Sequence, residues 1–278
     1  IKADGLAAGK GVFICGTLRS AKEVVHDIII KSKFGSAGHK IVIESFLDGI
    51  ELSVFILTDG NSYKILPSAK DYKRIGENDT GLNTGGMGAI SPVPFLNESL
   101  MKKIQKKIIE PTLIGLKKEK IEYSGFIFFG LINVGDNPYL IEYNARLGDP
   151  ETQVIMPRIG SDFLKLLLHI NQKNEFEKNE LIINKQTAST IILTSGGYPE
   201  KYTKGYPIHG IENIEDAIVF HAGLKKENKK YVTNGGRVLA VTGQAKILKK
   251  ALEKSYRNIE KIRFENSYFR KDIGFDVV

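Results

Sequence analysis

The stretch Leu140-Ile-Glu142-Tyr-Asn144-Ala-Arg146-Leu-Gly-Asp149-Pro-Glu151 concentrates the residue types that do chemistry. Side chains on a strand alternate between its two faces. Glu142, Asn144 and Arg146 are therefore expected on one face, with Ile141, Tyr143 and Ala145 on the other. Glu and Asn supply hard oxygen donors of the kind Mg²⁺ takes, and Arg offers a planar fork for carboxylate or phosphate. The plain alternative is an exposed Glu–Arg pair. The Gly-Asp-Pro turn weakens that alternative, because it sets Asp149 at the strand's end.

Three further stretches carry polar groups at telling spacings. In Asp71-Tyr-Lys73-Arg74 and Asn83-Thr84-Gly85-Gly86-Met87-Gly88-Ala89 the paired glycines would let backbone approach a ligand and offer it N–H groups. Glu44-Ser-Phe-Leu-Asp-Gly-Ile-Glu51 has a strand end, a turn and a second carboxylate. A nucleotide's exocyclic amine fits Glu44 there, and its ribose hydroxyls fit Glu51. The opening Ile-Lys2-Ala-Asp-Gly5-Leu-Ala-Ala-Gly9-Lys10-Gly11-Val departs from the G-x-x-x-x-G-K-[ST] phosphate loop, since Gly11 stands where that loop needs a hydroxyl. The residues that follow favour a strand, so the unit reads as a strand–glycine–strand hairpin, with Lys2 a point charge for phosphates. The five histidines are too scattered for a metal cluster or a triad. Ser195-Gly-Gly-Tyr-Pro199 lacks the G-x-S-x-G nucleophile pattern and reads as a turn.

The elements that must position these groups follow from periodicity and punctuation. Ser20 and Glu23 form a capping box for a first helix. Strands are expected over residues 40–46, 51–57 and 63–66, with a turn at Asp48-Gly49. Residues 70–95 read as one long functional loop. Asn97 caps a helix that Pro111 should kink or end. A strand pair, 124–134 and 139–146, turns around Gly135-Asp136-Asn137. Ser161 caps a helix, and residues 171–185 form a connector. Strands at 187–194, 217–221 and 237–242, a hairpin turn at Asn234-Gly235-Gly236 and a helix over 244–259 complete an α+β chain of two or three lobes.

Composition narrows the classes. Apolar residues make up 42% and charged residues 26%, as in ordinary globular chains. The net charge of +8 comes largely from lysine clusters such as 102–103, 106–107 and 225–230. These lack the interleaved aromatics of a nucleic-acid surface and instead suit anionic small substrates. No apolar run approaches the ~20 residues of a membrane span. The single cysteine, Cys15, excludes an internal disulfide and favours a reducing, cytoplasmic setting.

Taken in order, Lys2-Ala-Asp-Gly-Leu-Ala-Ala-Gly-Lys-Gly-Val12, Asn83-Thr-Gly-Gly-Met-Gly-Ala89 and Glu142-Tyr-Asn-Ala-Arg-Leu-Gly-Asp-Pro-Glu-Thr-Gln153 resemble the phosphoribosylamine–glycine ligases (glycinamide ribonucleotide synthetases) of the ATP-grasp superfamily. The likeness extends through Ser195-Gly-Gly-Tyr-Pro199, Thr233-Asn-Gly-Gly-Arg-Val238 and Arg270-Lys-Asp-Ile-Gly274. It implies an α+β fold: a small ATP-clamping subdomain (1–46), a larger central mixed-sheet subdomain (47–185) and a small C-terminal α/β domain (186–278). The family's N-terminal lobe has no counterpart and Ile1 falls in mid-strand, so the chain is expected to be part of a longer protein and incomplete as an enzyme alone. The implied reaction is ATP-dependent ligation of glycine to 5-phosphoribosylamine through glycyl phosphate, in purine biosynthesis, by a monomer or weak dimer.

The resemblance also implies roles. The glycine hairpin (Gly5, Gly9, Lys10, Gly11) would close as a lid over ATP, with Lys2 on a phosphate. Glu44 and the backbone near Phe46 and Leu47 would hold adenine, and Glu51 the ribose. Glu142 and Asn144 would hold Mg²⁺ or Mn²⁺. Arg146 would orient glycine's carboxylate. Asp71 and Asp149 would meet the substrate amines, and the backbone of Asn83, Thr84, Gly85 and Gly86 would line the substrate pocket. Many ATP-grasp enzymes carry another acid on the preceding strand, where this chain has Gly125-Phe-Ile-Phe-Phe-Gly-Leu131 and none. Two other readings stay open: a different carboxylate–amine ligase, and a non-catalytic nucleotide-binding module.

Overall fold

A computed structural model describes residues 1–7, 11–172 and 175–277. The chain forms two compact units, Ile1–Asp48 and Gly49–Val278.

In the first unit, β1 (Lys2–Ala3) pairs antiparallel with β2 (Ile41–Val42). The arms of the glycine hairpin also pair: Ala3 N–H donates to Gly11 O at 2.9 Å and Phe13 N–H to Ile1 O at 2.8 Å. The strand expected over 40–46 shrinks to two residues, because β2 has only the two-residue β1 as partner. Helix α1 (Leu18–Val25) starts before the predicted cap. Thr17 is the N-cap, accepting the Ser20 N–H at 3.1 Å, and Ser20 completes the capping box from inside the helix. Glu23 pairs with Arg19 instead.

The second unit runs β3 (Ile50–Thr58), β4 (Tyr63–Ile65), β5 (Lys70–Asp71), β6 (Arg74–Gly76), β7 (Thr80–Asn83), β8 (Gly88–Ser91), α2 (Glu98–Ile104), α3 (Glu110–Lys118), β9 (Gly125–Val134), β10 (Asn137–Asn144), α4 (Thr152–Ile155), α5 (Phe163–His169), α6 (Glu175–Lys178), β11 (Thr187–Thr194), β12 (Ala217–His221), β13 (Leu224–Glu227), β14 (Lys230–Thr233), β15 (Arg237–Ala245) and α7 (Leu248–Ile259). Its two large sheets have strand orders β10-β9-β3-β4 and β12-β15-β11-β8-β5. Their described pairs are all antiparallel.

Strand β3 is buried on both faces. Leu52, Val54 and Ile56 pack with Ile104, Ile108 and Leu113, while Phe55 and Leu57 pack with Val154, Ile155 and Leu166. Period-two alternation puts each set on its own face. Ser53 alone interrupts the apolar run, for a reason given below. In the second sheet, Ile191, Leu193, Leu239 and Val241 share a core with Leu252 and Ile259 of α7.

Several expectations change. Residues 70–95 are not one loop: β5 and β8 extend the five-stranded sheet, and β6 and β7 form a hairpin between them. The partner of β8 is the distant β11, and β5 joins the sheet only through β8, so local patterning does not reveal these two strands. Pro111 does not end its helix. A π turn, Gln105–Ile109, precedes α3, which restarts with Pro111 in its first turn, where a missing N–H costs nothing. Asp162, not Ser161, caps α5. Gln244 and Ala245 continue β15 against Ala188 and Thr187, so α7 begins at Leu248. Asn234-Gly235-Gly236 is not a hairpin turn, because β14 pairs with β13 whereas β15 pairs with β11 and β12.

Residues 186–278 do not own their sheet, since β11 bonds β8 across the 185/186 boundary. The side chain of Arg270, fully buried, reinforces this joint. It reaches Asp79 Oδ1 (2.7 Å), both Asp272 oxygens (2.8 Å each) and Arg74 O (3.1 Å), pinning the β6–β7 hairpin to the C-terminal segment.

Candidate functional site

Strand register sets out a polar row. Ser53 and Glu142 both lie opposite Gly130, and Phe55 and Asn144 both lie opposite Phe128. Directly paired residues share a face. A bulge between Leu140 and Glu142 interrupts the alternation just before the row begins. From there the three heads converge: Asn144 Nδ2 donates to Glu142 Oε1 at 3.2 Å, and Arg146 Nη2 to Asn144 Oδ1 at 3.4 Å, with Nη1 on Leu147 O at 2.9 Å. Gly130 is what lets Glu142 lie across the sheet, since a Cβ there would stand 3.0 Å from Glu142 Cγ. The adjacent carboxylate and amide oxygens suit a hard cation. No group of three or more His, Cys, Asp or Glu among the described residues could hold a metal. A cation on Glu142 and Asn144 would thus need oxygens from its substrate or water.

Beside the row lies a charged cluster. Ser53 and Ala69 exchange backbone hydrogen bonds at 2.7 and 3.0 Å. Glu51 and Asp71 each stand two residues from that bridge. The Lys73 ammonium pairs with Glu51. Burial favours its neutral amine, yet the charges of Asp71 and Glu51 hold Lys73 above its ordinary range. Ser53 Oγ donates to Glu151 Oε1 at 3.1 Å, which accounts for a hydroxyl inside β3. Glu151 is 3% exposed. Burial first, then the nearby Asp71 charge, pushes its carboxyl up to about 7. Burial likewise raises Asp71, against the pull of Lys73.

This cluster has a measurable consequence. Because the folded pKa of Glu151 lies above its unfolded value, the native state holds an extra proton between about pH 4.5 and 7. The ionised form is increasingly penalised as pH rises through that window. Glu151→Gln removes the penalty and keeps an acceptor for Ser53. Its stability relative to the parent should be unchanged near pH 4.5 and should gain up to ~3 kcal/mol by pH 8. Urea unfolding at both pH values checks this; an equal difference at the two would contradict it.

The glycine loop is not laid out as its sequence predicts. Gly85 N–H donates to the Tyr198 hydroxyl and Gly86 N–H to Thr84 Oγ1, both at 2.9 Å, so neither is left for a ligand. The glycines serve close packing instead: a Cβ on Gly86 would stand 2.3 Å from Pro150 Cδ, and its φ of 109° suits glycine alone. Thr84 N–H and Oγ1 both bond Lys73 O, at 2.7 and 2.8 Å, and Asn83 pairs with Arg74. Asp149 is also engaged, its Oδ2 by Arg237 at 2.9 Å and its Oδ1 by Gln153 at 2.8 Å.

In the Ile1–Asp48 unit, Lys2 Nζ lies 2.9 Å from Glu44 Oε1, which joins two predicted nucleotide contacts. Gly5 is no phosphate donor: its N–H bonds Ala37 O at 3.0 Å, and a Cβ would stand 2.5 Å from Ala37 Cα. Gly11 accepts from Ala3. Gly9 and Lys10 lie outside the described residues. Phe46 and Leu47 belong to no strand, and the Phe46 side chain is exposed. Sequence reasoning singled out no role for Lys73, Glu151, Ser53, Tyr198 or Arg237. Lys73, Glu151, Tyr198 and Arg237 lie inside stretches quoted above, and Ser53 alone carried no local signal.

Comparison with known proteins bears on this arrangement. Residues 1–152 match the family described as phosphoribosylglycinamide synthetase, ATP-grasp (A) domain, and residues 188–276 match its C domain. The chain belongs to the phosphoribosylglycinamide synthetase family. It is 45% identical over 278 residues to a phosphoribosylamine–glycine ligase of Fusobacterium nucleatum, covering 99% of this chain and 65% of that protein. It is 43% identical to the enzyme of that name from Escherichia coli O157:H7, covering 100% and 66%. The crystal structure of a phosphoribosylamine–glycine ligase from Thermotoga maritima superposes with a TM-score of 0.85 at 37% identity, over 98% of this chain and 67% of that one. The chain thus spans about two thirds of the length of these synthetase relatives, 65% in the first. An L-amino acid ligase from Bacillus licheniformis, 18% identical with a TM-score of 0.58, shares the fold alone. The synthetase fold here is ATP-grasp followed by the family's C domain. No helix among the described residues is long and apolar enough to cross a membrane.

Proposed function

We propose that the protein containing this chain ligates glycine to 5-phosphoribosylamine at the expense of ATP, giving glycinamide ribonucleotide, ADP and phosphate. The observation that carries this reading is the convergence of Glu142, Asn144 and Arg146 on one polar row, in a chain of this family. Glycine's carboxylate is a poor electrophile. Transfer of the γ-phosphoryl group to one of its oxygens gives glycyl phosphate, whose carbonyl the amine attacks. The amine nitrogen loses a proton and phosphate leaves. The protein positions reactants and offsets charge.

Glu142 and Asn144 would hold the cation, whose oxygen donor set suits Mg²⁺ or Mn²⁺. That ion neutralises charge on the triphosphate when bound. Arg146 orients the glycine carboxylate and balances charge as the acyl phosphate forms. Asp71 receives the substrate amine, with Lys73 and Glu51 fixing its surroundings. Lys2 meets a phosphate and Glu44 the adenine, their mutual ion pair opening when ATP arrives; the backbone at Phe46 and Leu47 joins the adenine contact, and Glu51 the ribose. Residues 1–46, 47–185 and 186–278 act as clamp, central and C-terminal domains of an enzyme of a reducing cytoplasm, a monomer or weak dimer.

A substrate panel tests the reading. ADP release by the intact protein should require glycine and 5-phosphoribosylamine together. Equal turnover with unrelated amines and acids would replace it with another ATP-grasp ligase.

A further inference from the structure

We propose that Arg237 is a positioning residue that locks two segments adjoining the proposed site, 83–86 beside Lys73 and 148–151 with Glu151, at a fixed spacing. The inference rests on the ligase reading above and assigns a role to the first residue of β15. Its guanidinium donates from Nη1 to Gly85 O (2.5 Å) and to Asp149 O (2.8 Å), and from Nη2 to Asp149 Oδ2 (2.9 Å). These partners lie 152 and 88 residues away in sequence. A Cβ on Gly85 would stand 2.9 Å from Arg237 Cζ, so the bare glycine is what admits the guanidinium. Tyr198, also from the C-terminal region, accepts the Gly85 N–H.

The clamp lies one step from the polar groups. Through Thr84, the Gly85 side reaches Lys73 O. Through Pro150, the Asp149 side reaches Glu151, which Ser53 anchors to β3. Three bonds to two loops need a planar fork; lysine's point charge could satisfy Asp149 but could not span both carbonyls. The pair is partly open to water, with side chains 20% and 53% exposed. Such pairs add little to global stability, so losing this one should act on placement rather than on folding. Misplacing reacting groups by about 1 Å is enough for large rate losses, up to ~10²-fold.

The test uses Arg237→Met, Arg237→Lys and Tyr198→Phe in the intact protein. Arg237→Met should raise KM for glycine and 5-phosphoribosylamine roughly tenfold or more and lower kcat ~10–100-fold, with KM for ATP held within about twofold. Arg237→Lys should recover only part of the loss, and Tyr198→Phe should be milder. Amide hydrogen exchange should quicken over 84–88 and 147–152 in Arg237→Met and stay unchanged in β3 and β9. Parental substrate KM values with parental exchange would overturn the inference, as would an equal rise in KM for all three substrates. If the parent proves inactive as this ligase, the functional reading fails and exchange alone decides: quickening confined to the two segments supports the clamp, and its absence removes it.

Discussion

Arg146→Ala should lower kcat by about 10²–10³-fold at saturating ATP, the loss typical of removing one charge-stabilising donor. The guanidinium, in the bend just past β10, is the one cation beside Glu142 and Asn144 in this row among the described residues. It donates to Asn144 Oδ1 and Leu147 O, contacts that aim it along the row beside the proposed cation ligands. Glycine's carboxylate is anionic and must accept a phosphoryl group that is more negative still. Without Arg146 the two like charges approach with no guanidinium beside the carboxylate to offset them. Loss confined to the transition state lowers kcat and kcat/KM together. Steady-state ADP release at saturating glycine reads this directly; a parental turnover number would remove Arg146 from the chemistry.

Arg270→Met should destabilise the native state by ~3–5 kcal/mol, the usual cost of stranding the partners of a buried ion pair. Arg270 is fully buried and holds Asp79 and both oxygens of Asp272. Burial works against ionised Asp272, but hydrogen bonds from Arg270 and the Asn78 N–H outweigh it and keep the carboxyl below its ordinary range. Methionine fills much of the volume but satisfies neither acid. The guanidinium also sits 5.5 Å from the centre of the Tyr72 ring, a contact methionine does not replace electrostatically. Urea unfolding should show the loss, accompanied by faster exchange in the β6–β7 hairpin. A change below about 1 kcal/mol would mean the network is not a net stabiliser.

What the sequence revealed divides along local and distant causes. Glu142 and Asn144 could be read as one row because period two is a property of any strand, whereas Arg146, expected on the same strand, lies in the bend just past β10 and joins the row through its bond to Asn144 Oδ1. The bulge before Glu142 could not be read, because it depends on how β10 meets β9. The long strands β3, β9 and β11 were legible from their apolar runs. The two- to four-residue strands β5 to β8 were not, since pairing with distant β11 defines β8 and through it β5. Gly85 and Gly86 announced a close approach, but not what approaches. Their neighbours are Arg237 and Pro150 rather than a ligand. Glu151 closes the stretch richest in reactive residue types, and only Ser53, 98 residues earlier, shows what its buried carboxyl meets.

The central claim is that this site makes an acyl phosphate of glycine. Glycine labelled with ¹⁸O in its carboxylate should, on complete turnover with ATP and 5-phosphoribosylamine, deliver one labelled oxygen to the released inorganic phosphate. Phosphate that carries no label beyond background would contradict that chemistry.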